Sequence, residues 1–356
     1  MEKFILKYLN LIRVLIAILI GIIICVFLII LISSEPGFSL KTLFLGPFLS
    51  KSRFGNLVET AAPILFCGLA IAIPFQAGLF NVGAEGAFYL GAVIGTAIAV
   101  STNMPAIFHI PLVLLTAGLT GAIWGYIPGY LKSKWDVSEL VITLMLNYVA
   151  LYVGLYLINY HFRDKIAGFL TSFKLPETSW LIQFIPSTRI HAGVFLSLVF
   201  AILAYILLYH TTLGYEIRTC GSNLKFSKYG GINVKKIIIL TQVIGGFIAG
   251  IGGICEIMGI YRRFSWQSSP GYGWDGVVVA IIGRNHPLLI IPASLFLAYL
   301  RIGGGLVKLM SDIPTEMISV IQAIIILFIT ADAFLSGWKN RITVKEAKKA
   351  DYEHIA

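Results

Sequence analysis

Charge is what this chain has least of. Acidic and basic residues make up 12% of its 356 positions, against about a quarter in soluble domains. That scarcity excludes a disordered chain, a nucleic-acid-binding surface and an ordinary cytosolic enzyme. Phosphate-loop, HExxH and GxSxG patterns are also missing, so any ATP chemistry belongs to another chain. The four cysteines (Cys25, Cys67, Cys220 and Cys255) have no paired spacing, and three lie in apolar stretches. They read as small core residues rather than metal ligands or disulfides.

Long apolar runs are abundant. Apolar and aromatic residues reach 58%, and mean hydropathy is +0.87. Val14 to Ile32 runs without a charge, close to the ~20 residues a helix needs to cross a bilayer. The chain is therefore read as an all-α, polytopic integral membrane protein. Its first run follows Lys3, Lys7 and Arg13 and lacks a small-residue cleavage site, so it is expected to be a retained helix. A net charge of +10 fits juxtamembrane Lys and Arg that orient spans and meet anionic lipid.

Apolar runs and breakers predict about ten spans, near 12–32, 57–75, 82–101, 107–131, 138–159, 191–211, 237–258, 272–283, 287–302 and 315–335. Pro36 to Pro47 reads as a polar outer segment, 160–190 as a long polar stretch, and 213–236 as a charged loop. Gly303 to Gly305 read as a break, and 272–283 is too short to cross alone. An even number of crossings, with basic residues at both ends, places both termini in the cytoplasm.

Three places break membrane rules. Pro74 to Gly86 interrupts two spans and carries Gln76, Asn81 and Glu85. Unwound backbone at membrane depth is tolerated only beside protein or a water-filled cavity, and ionisable groups there are expensive. Asn81 and Glu85 either line a route, or cap a helix and bond a neighbouring span. Next, Glu139 reads as a helix-start carboxylate, and Asn147, two turns deeper, as interhelical glue or a pathway donor. Last, Ser268 to Gly276 opens a short helix like the half-helices at transporter substrate sites. Asp275 there caps the helix or faces the route, and Trp274 is an interface anchor or a stacking surface; His286 reads as structural. The two Gly-and-carboxylate breaks, one after the second span and one after the seventh, suggest two inverted halves plus an extra N-terminal span.

The loop 213–236 contains a short-helix sentence. Asn223 is the N-cap, Leu224 to Tyr229 the body, and Gly230 or Gly231 the C-cap. So short a helix needs support, from a docking partner or from the membrane surface.

Four segments carry a family resemblance: Phe80 to Gly86, Glu139 to Tyr148, Gly214 through Arg218, Gly221, Asn223 and Lys228 to Ile232, and Gly273 to Arg284. In that order they resemble the permease subunits of bacterial ABC importers for nucleosides and simple sugars, relatives of the branched-chain amino-acid permeases. The resemblance spans about 57–335. It implies a permease core over 57–336, an N-terminal span and outer segment over 1–56, and a cytoplasmic tail over 337–356. It departs from the family at Ala87, often Gln; at Phe226 and Ser227, usually small; and at Lys228, usually Arg.

The resemblance implies no catalysis and no cofactor in this chain, with ATP-Mg held by partner ATPases. Those ATPases would grip Arg218, Gly221, Asn223, Phe226, Lys228 and Gly231. A second permease subunit, identical or homologous, would complete the pathway, and an extracytoplasmic binding lipoprotein would deliver substrate. Gln76, Asn81, Glu85, Asn147, Trp274 and Asp275 would line the route through the bacterial cytoplasmic membrane. The outer stretch around Trp180 and Thr188 to Gly193 looks like the nucleoside branch, with a sugar such as ribose or galactose as the alternative. A different class would be an ion-coupled carrier with Glu85 and Asp275 as its coupling carboxylates.

Overall fold

A computed structural model describes residues 23–314 except 25 and 186, together with 317, 320, 323, 324 and 327. Regular structure among the described residues is helical, apart from isolated bridges joining 163 to 172 and 183 to 191. The described residues fall into two compact units, the first holding the described residues of 1–47 and 300–356 and the second 48–299.

In the first unit, Pro36–Leu45 forms helix α1, with proline in its first turn. The sequence reading of a polar outer segment did not anticipate this helix. Proline's fixed φ suits a helix start, where its missing N–H is not needed. Asp312 accepts hydrogen bonds from the Ser33 hydroxyl (2.7 Å) and the Ser34 amide (2.6 Å). These bonds hold its carboxyl below the usual carboxylate range.

The second unit contains α2 (Lys51–Gln76), α3 (Ala84–Ser101), α4 (Ala106–Trp135), α5 (Glu139–His161) and α6 (Ala192–His210). There follow α7 (Thr212–Ser222), α8 (Leu224–Tyr229), α9 (Val234–Glu256), α10 (Tyr272–Ile282) and the start of α11 (Pro287–Met310). Seven helices are long and apolar enough to cross a bilayer among the described residues, with α10 shorter. The expected spans at 12–32 and 315–335 lie largely outside the described residues. Gly303 to Gly305 do not end α11. A Cβ on Gly303 would meet the Leu43 carbonyl oxygen at 2.7 Å, so the small residue serves close packing, not termination.

The core is organised around α9. Gly121 and Gly125 of α4 lie against Gln242, Gly246 and Gly250 of α9, and a Cβ at either glycine would overlap a backbone carbonyl across the seam. Lipid offers no hydrophobic drive between helices, so close van der Waals approach through small residues must hold them together. α2 is almost wholly buried, while α4, α5 and α6 turn most of their apolar surface outward. Ile107, Ile123, Met145, Tyr152 and Ile202 are exposed there, as side chains facing hydrocarbon should be.

One further correction concerns 213–236. Residues 212–222 are helical, with the Thr211 hydroxyl accepting from the Gly214 amide at 3.1 Å. The charge there suggested a loop, but a helix carries charge readily on an outward face.

Candidate functional site

The first break lies between α2 and α3. Pro74 sits in the last turn of α2, and Gly78 takes a left-handed φ of 76° that releases the chain. Residues 79–82 then run without regular structure to the start of α3. The Phe80 amide donates to the Glu139 carboxylate at 3.2 Å, and neutral side chains satisfy the rest of this backbone. Asn81 is buried, donates to the Gln242 side-chain oxygen, and accepts from the Gly83 amide at 2.6 Å. Asn147 accepts from the Gly86 amide (2.9 Å) and donates to the Val82 carbonyl (3.0 Å). Both ends of its amide thus bond the start of α3, the geometry of interhelical glue.

The second break precedes α10. Gly271, at φ 82°, turns the chain into the helix. Glu85 of α3 is buried against that turn. Its carboxylate accepts from the Ser269 hydroxyl, from the Gly271 amide at 2.8 Å and from the Gly273 amide. A Cβ on Gly273 would overlap the Glu85 backbone, so the two helix starts touch. Their positive ends converge on one carboxylate, which is where such a charge is most favourable. Asp275 is half-buried in the first turn of α10, and Trp274 is half exposed.

Gln76 closes the same region from the other side. Its amide donates to the Asn285 carbonyl at 2.9 Å, in a turn where Arg284 and Asn285 both adopt positive φ. Between Asn81, Thr143, Trp124 and Gln242 lies a cavity of about 10 Å³, the space of one water. The Trp124 and Gln242 side-chain N–H groups have no acceptor among the described residues. A larger cleft of about 490 Å³, bordered by Leu57, Leu65, Val194 and Ile291, is apolar. Its two serines bond carbonyls of their own helices, so it offers little to a polar solute.

Within the arm formed by α7 and α8, the short helix α8 lies where the sequence reading put it. Asn223 caps α8 by accepting from the Phe226 amide at 3.0 Å, and Gly231 follows at φ 81°. Leu224, Phe226 and Tyr229 are 46%, 65% and 92% exposed, so this apolar face is uncovered; Lys228 is exposed beside it. Arg218 instead lies over the Tyr209 ring at 4.8 Å. Gly221 packs against Gln76 and Gly78, and a Cβ there would run into the Gln76 carbonyl oxygen. Backbone-to-backbone contact therefore joins the arm to the first break. The His286 ring packs on Tyr209 and Tyr205, which brings the α10–α11 turn to the same place.

The structure thus gathers Gln76, Asn81, Glu85 and Asn147 around the helix breaks, and places Gly221 against them. Arg218 sits on the arm but faces Tyr209. Sequence reasoning missed Gln242, Thr143, Ser269 and Trp266. Trp266 stacks on Phe88 with ring centroids 5.7 Å apart. Gln242 did carry a signal, a polar side chain inside the long apolar run 237–258.

Residues 53–330 match the family described as Branched-chain amino acid transport system / permease component. The chain is 34% identical over 300 residues to the glucose ABC transporter permease protein of Haloferax volcanii, covering 81% of this chain and 79% of the relative. It is 32% identical over 299 residues to the guanosine ABC transporter permease protein of Bacillus subtilis, covering 83% and 84%. It is 30% identical over 326 residues to the nucleoside ABC transporter permease protein of Lactococcus lactis subsp. cremoris, covering 88% and 89%.

Proposed function

Because this chain belongs to the branched-chain amino acid transport system permease family, we propose that it forms the nucleoside pathway of an ATP-driven importer and is worked by separate ATPases through its α7–α8 arm. The observation that carries this reading is Gly221, seated on the Gln76–Gly78 backbone with no room for a side chain. A force on the arm then reaches the first break without passing through flexible side chains. A helix as short as α8 is not stable alone in water, and its uncovered Leu224, Phe226 and Tyr229 suit a partner's groove. ATP-driven closure of the ATPases would supply the differential binding energy between the two states of the pathway.

The cargo follows from charge. Glu85 already fills the converging helix starts that could otherwise hold an anion, so the break suits an uncharged solute. The Gln242 amide N–H and the Trp124 N–H, which have no acceptor among the described residues, are donors of the kind a nucleoside can use, and relatives named for guanosine and nucleosides support that choice. A sugar is the second reading, favoured by the glucose permease relative. An ion-coupled carrier fits less well, since the three donors on Glu85 leave it fixed rather than free to cycle a proton. Both termini would face the cytoplasm with the arm. A second permease subunit and an extracytoplasmic binding protein would complete the assembly.

The test is uptake into proteoliposomes holding the chain with its ATPase and binding protein. ATP-dependent accumulation of labelled guanosine is expected, and it should vanish when Gly221 is replaced by leucine although the ATPase remains bound. Uphill uptake by this chain alone would overturn the reading, and preference for glucose would move it to the sugar branch.

A further inference from the structure

One stripe of α2 lines the apolar cleft of about 490 Å³. Leu57, Val58, Ala61, Ala62 and Leu65 follow Phe54 along it at helical spacing, and α6 and α11 supply the other walls. The floor of the cleft is small and its rim is large. Ala61, Ala62, Ser197 and Ser294 are buried, while Phe54, Leu198 and Leu295 are exposed. Small side chains facing one another from α2, α6 and α11 leave the space, and the larger ones stand around its mouth.

The cleft has a direction. At one end the Phe48 ring packs on Tyr299 at 5.7 Å and on Phe54 at 6.2 Å. At the other end Leu65 and Ile291 line it, and a Cβ on Gly68 would meet Ile290 at 2.9 Å, so α2 and α11 close together there. Phe54 to Leu65 spans about 17 Å at ~1.5 Å per residue, close to one leaflet of a ~30 Å hydrocarbon core. Lys51 lies three positions before Phe54 and continues the same stripe. It is exposed at the aromatic end and forms no ion pair among the described residues. Acid is kept away from the cleft: Glu59, on another face of α2, meets His191 and Glu256, with one side-chain O or N atom of each within 4.8 Å of the others.

We propose that this cleft holds one acyl chain of an anionic phospholipid whose headgroup lies at Lys51. Size selects the occupant. A methylene fills about the volume of one liquid water molecule, ~30 Å³, so the cleft takes roughly 16 carbons. A helix laid along the same length, ~10 Å across, needs roughly 1,300 Å³, so a second copy of the chain would insert only side chains. The chemistry agrees with the size. The Ser197 and Ser294 hydroxyls donate to the Val194 and Ile291 carbonyls at 2.7 and 2.8 Å, and so ask nothing of a ligand. The lysine stands where the headgroup emerges, with the sign that a lipid phosphate requires.

The full chain in detergent, stripped of lipid, is titrated with phosphatidylglycerol or phosphatidylcholine carrying the same palmitoyl and oleoyl chains. Native mass spectrometry and thermal unfolding follow the binding. One phosphatidylglycerol retained per chain is expected, preferred over phosphatidylcholine by about fivefold, with a Tm rise of at least about 3 °C. A photoreactive group near the end of its acyl chain should label residues around Leu65 and Ile291. Lys51→Gln should erase the preference for phosphatidylglycerol and leave the Tm of the lipid-free chain unchanged. Ser294→Leu puts methyl groups into the cleft, and Leu295→Trp fills it from the exposed rim; each should lose most of the retained lipid. If the floor variant does not fold, the rim variant carries the test. Equal retention of the two lipids by the wild type, or full retention in a folded cleft-filling variant, would overturn the proposal. So would a dimer of chains that these variants disrupt while no lipid is retained, which assigns the cleft to a second copy.

Discussion

The two breaks solve one problem with different chemistry. Before α3, the unwound chain is satisfied by the neutral side chains of Asn81, Asn147 and Thr143, with one partly exposed carboxylate, Glu139, accepting from the Phe80 amide at 3.2 Å. Before α10, one carboxylate, Glu85, gathers a hydroxyl and two backbone amides. Neutral partners exchange cheaply, because breaking a neutral hydrogen bond in reach of water has a small net cost. A buried carboxylate is harder to release, since its bonds are charge-assisted and its exposure to hydrocarbon is expensive. The first break is accordingly the one suited to move, and it is also the one the α7–α8 arm touches. The second is suited to act as the fixed point.

The sharpest way to break this contrast is Glu85→Leu. It strands three donors in a buried site and should destabilise the fold by at least about 3 kcal/mol, read as loss of folded protein or a large fall in Tm. Glu85→Gln should fall between that variant and wild type, because it keeps an acceptor but not the charge. Asn147→Leu leaves the Gly86 amide and Val82 carbonyl unpaired. It should cost about 2 kcal/mol, less than Glu85→Leu in the same assay; an equal loss would erase the distinction between the breaks. Gly221→Leu pushes into the Gln76 carbonyl and should cost only about 1–2 kcal/mol, while uptake is lost. Normal uptake in that variant would separate the arm from the first break. Trp274→Phe, at a half-exposed position of the second break, should change stability by no more than about 0.5 kcal/mol.

Much of this architecture was legible from residues alone. The α8 cap was readable because Asn223, its body and Gly231 lie within nine positions, and every bond that defines it is local. The spans were readable because hydrocarbon leaves the backbone no partner but itself, which forces long apolar helices. The extension of α11 through Gly303 to Gly305 was not readable. Glycine ends a helix or admits a neighbour, and only the neighbour decides which. Gln76, Asn81, Glu85 and Asn147 were singled out as anomalies in apolar surroundings, yet what each bonds was open. Glu59, Gln242 and Glu256 were equally anomalous and were passed over, since each lies inside a continuous helix rather than at a break.

The sequence by itself determined an all-helical membrane protein, the places where its helices falter, and the short capped helix on its arm. These follow from interactions between residues a few positions apart, or from the demand of the lipid on every apolar run. Tertiary structure alone decided that Glu85 serves the start of α10, that Gly221 rests on the end of α2, and that Glu59, His191 and Glu256 meet. Those pairings join residues at least 65 positions apart, and close packing, which the order of residues does not encode locally, selects them.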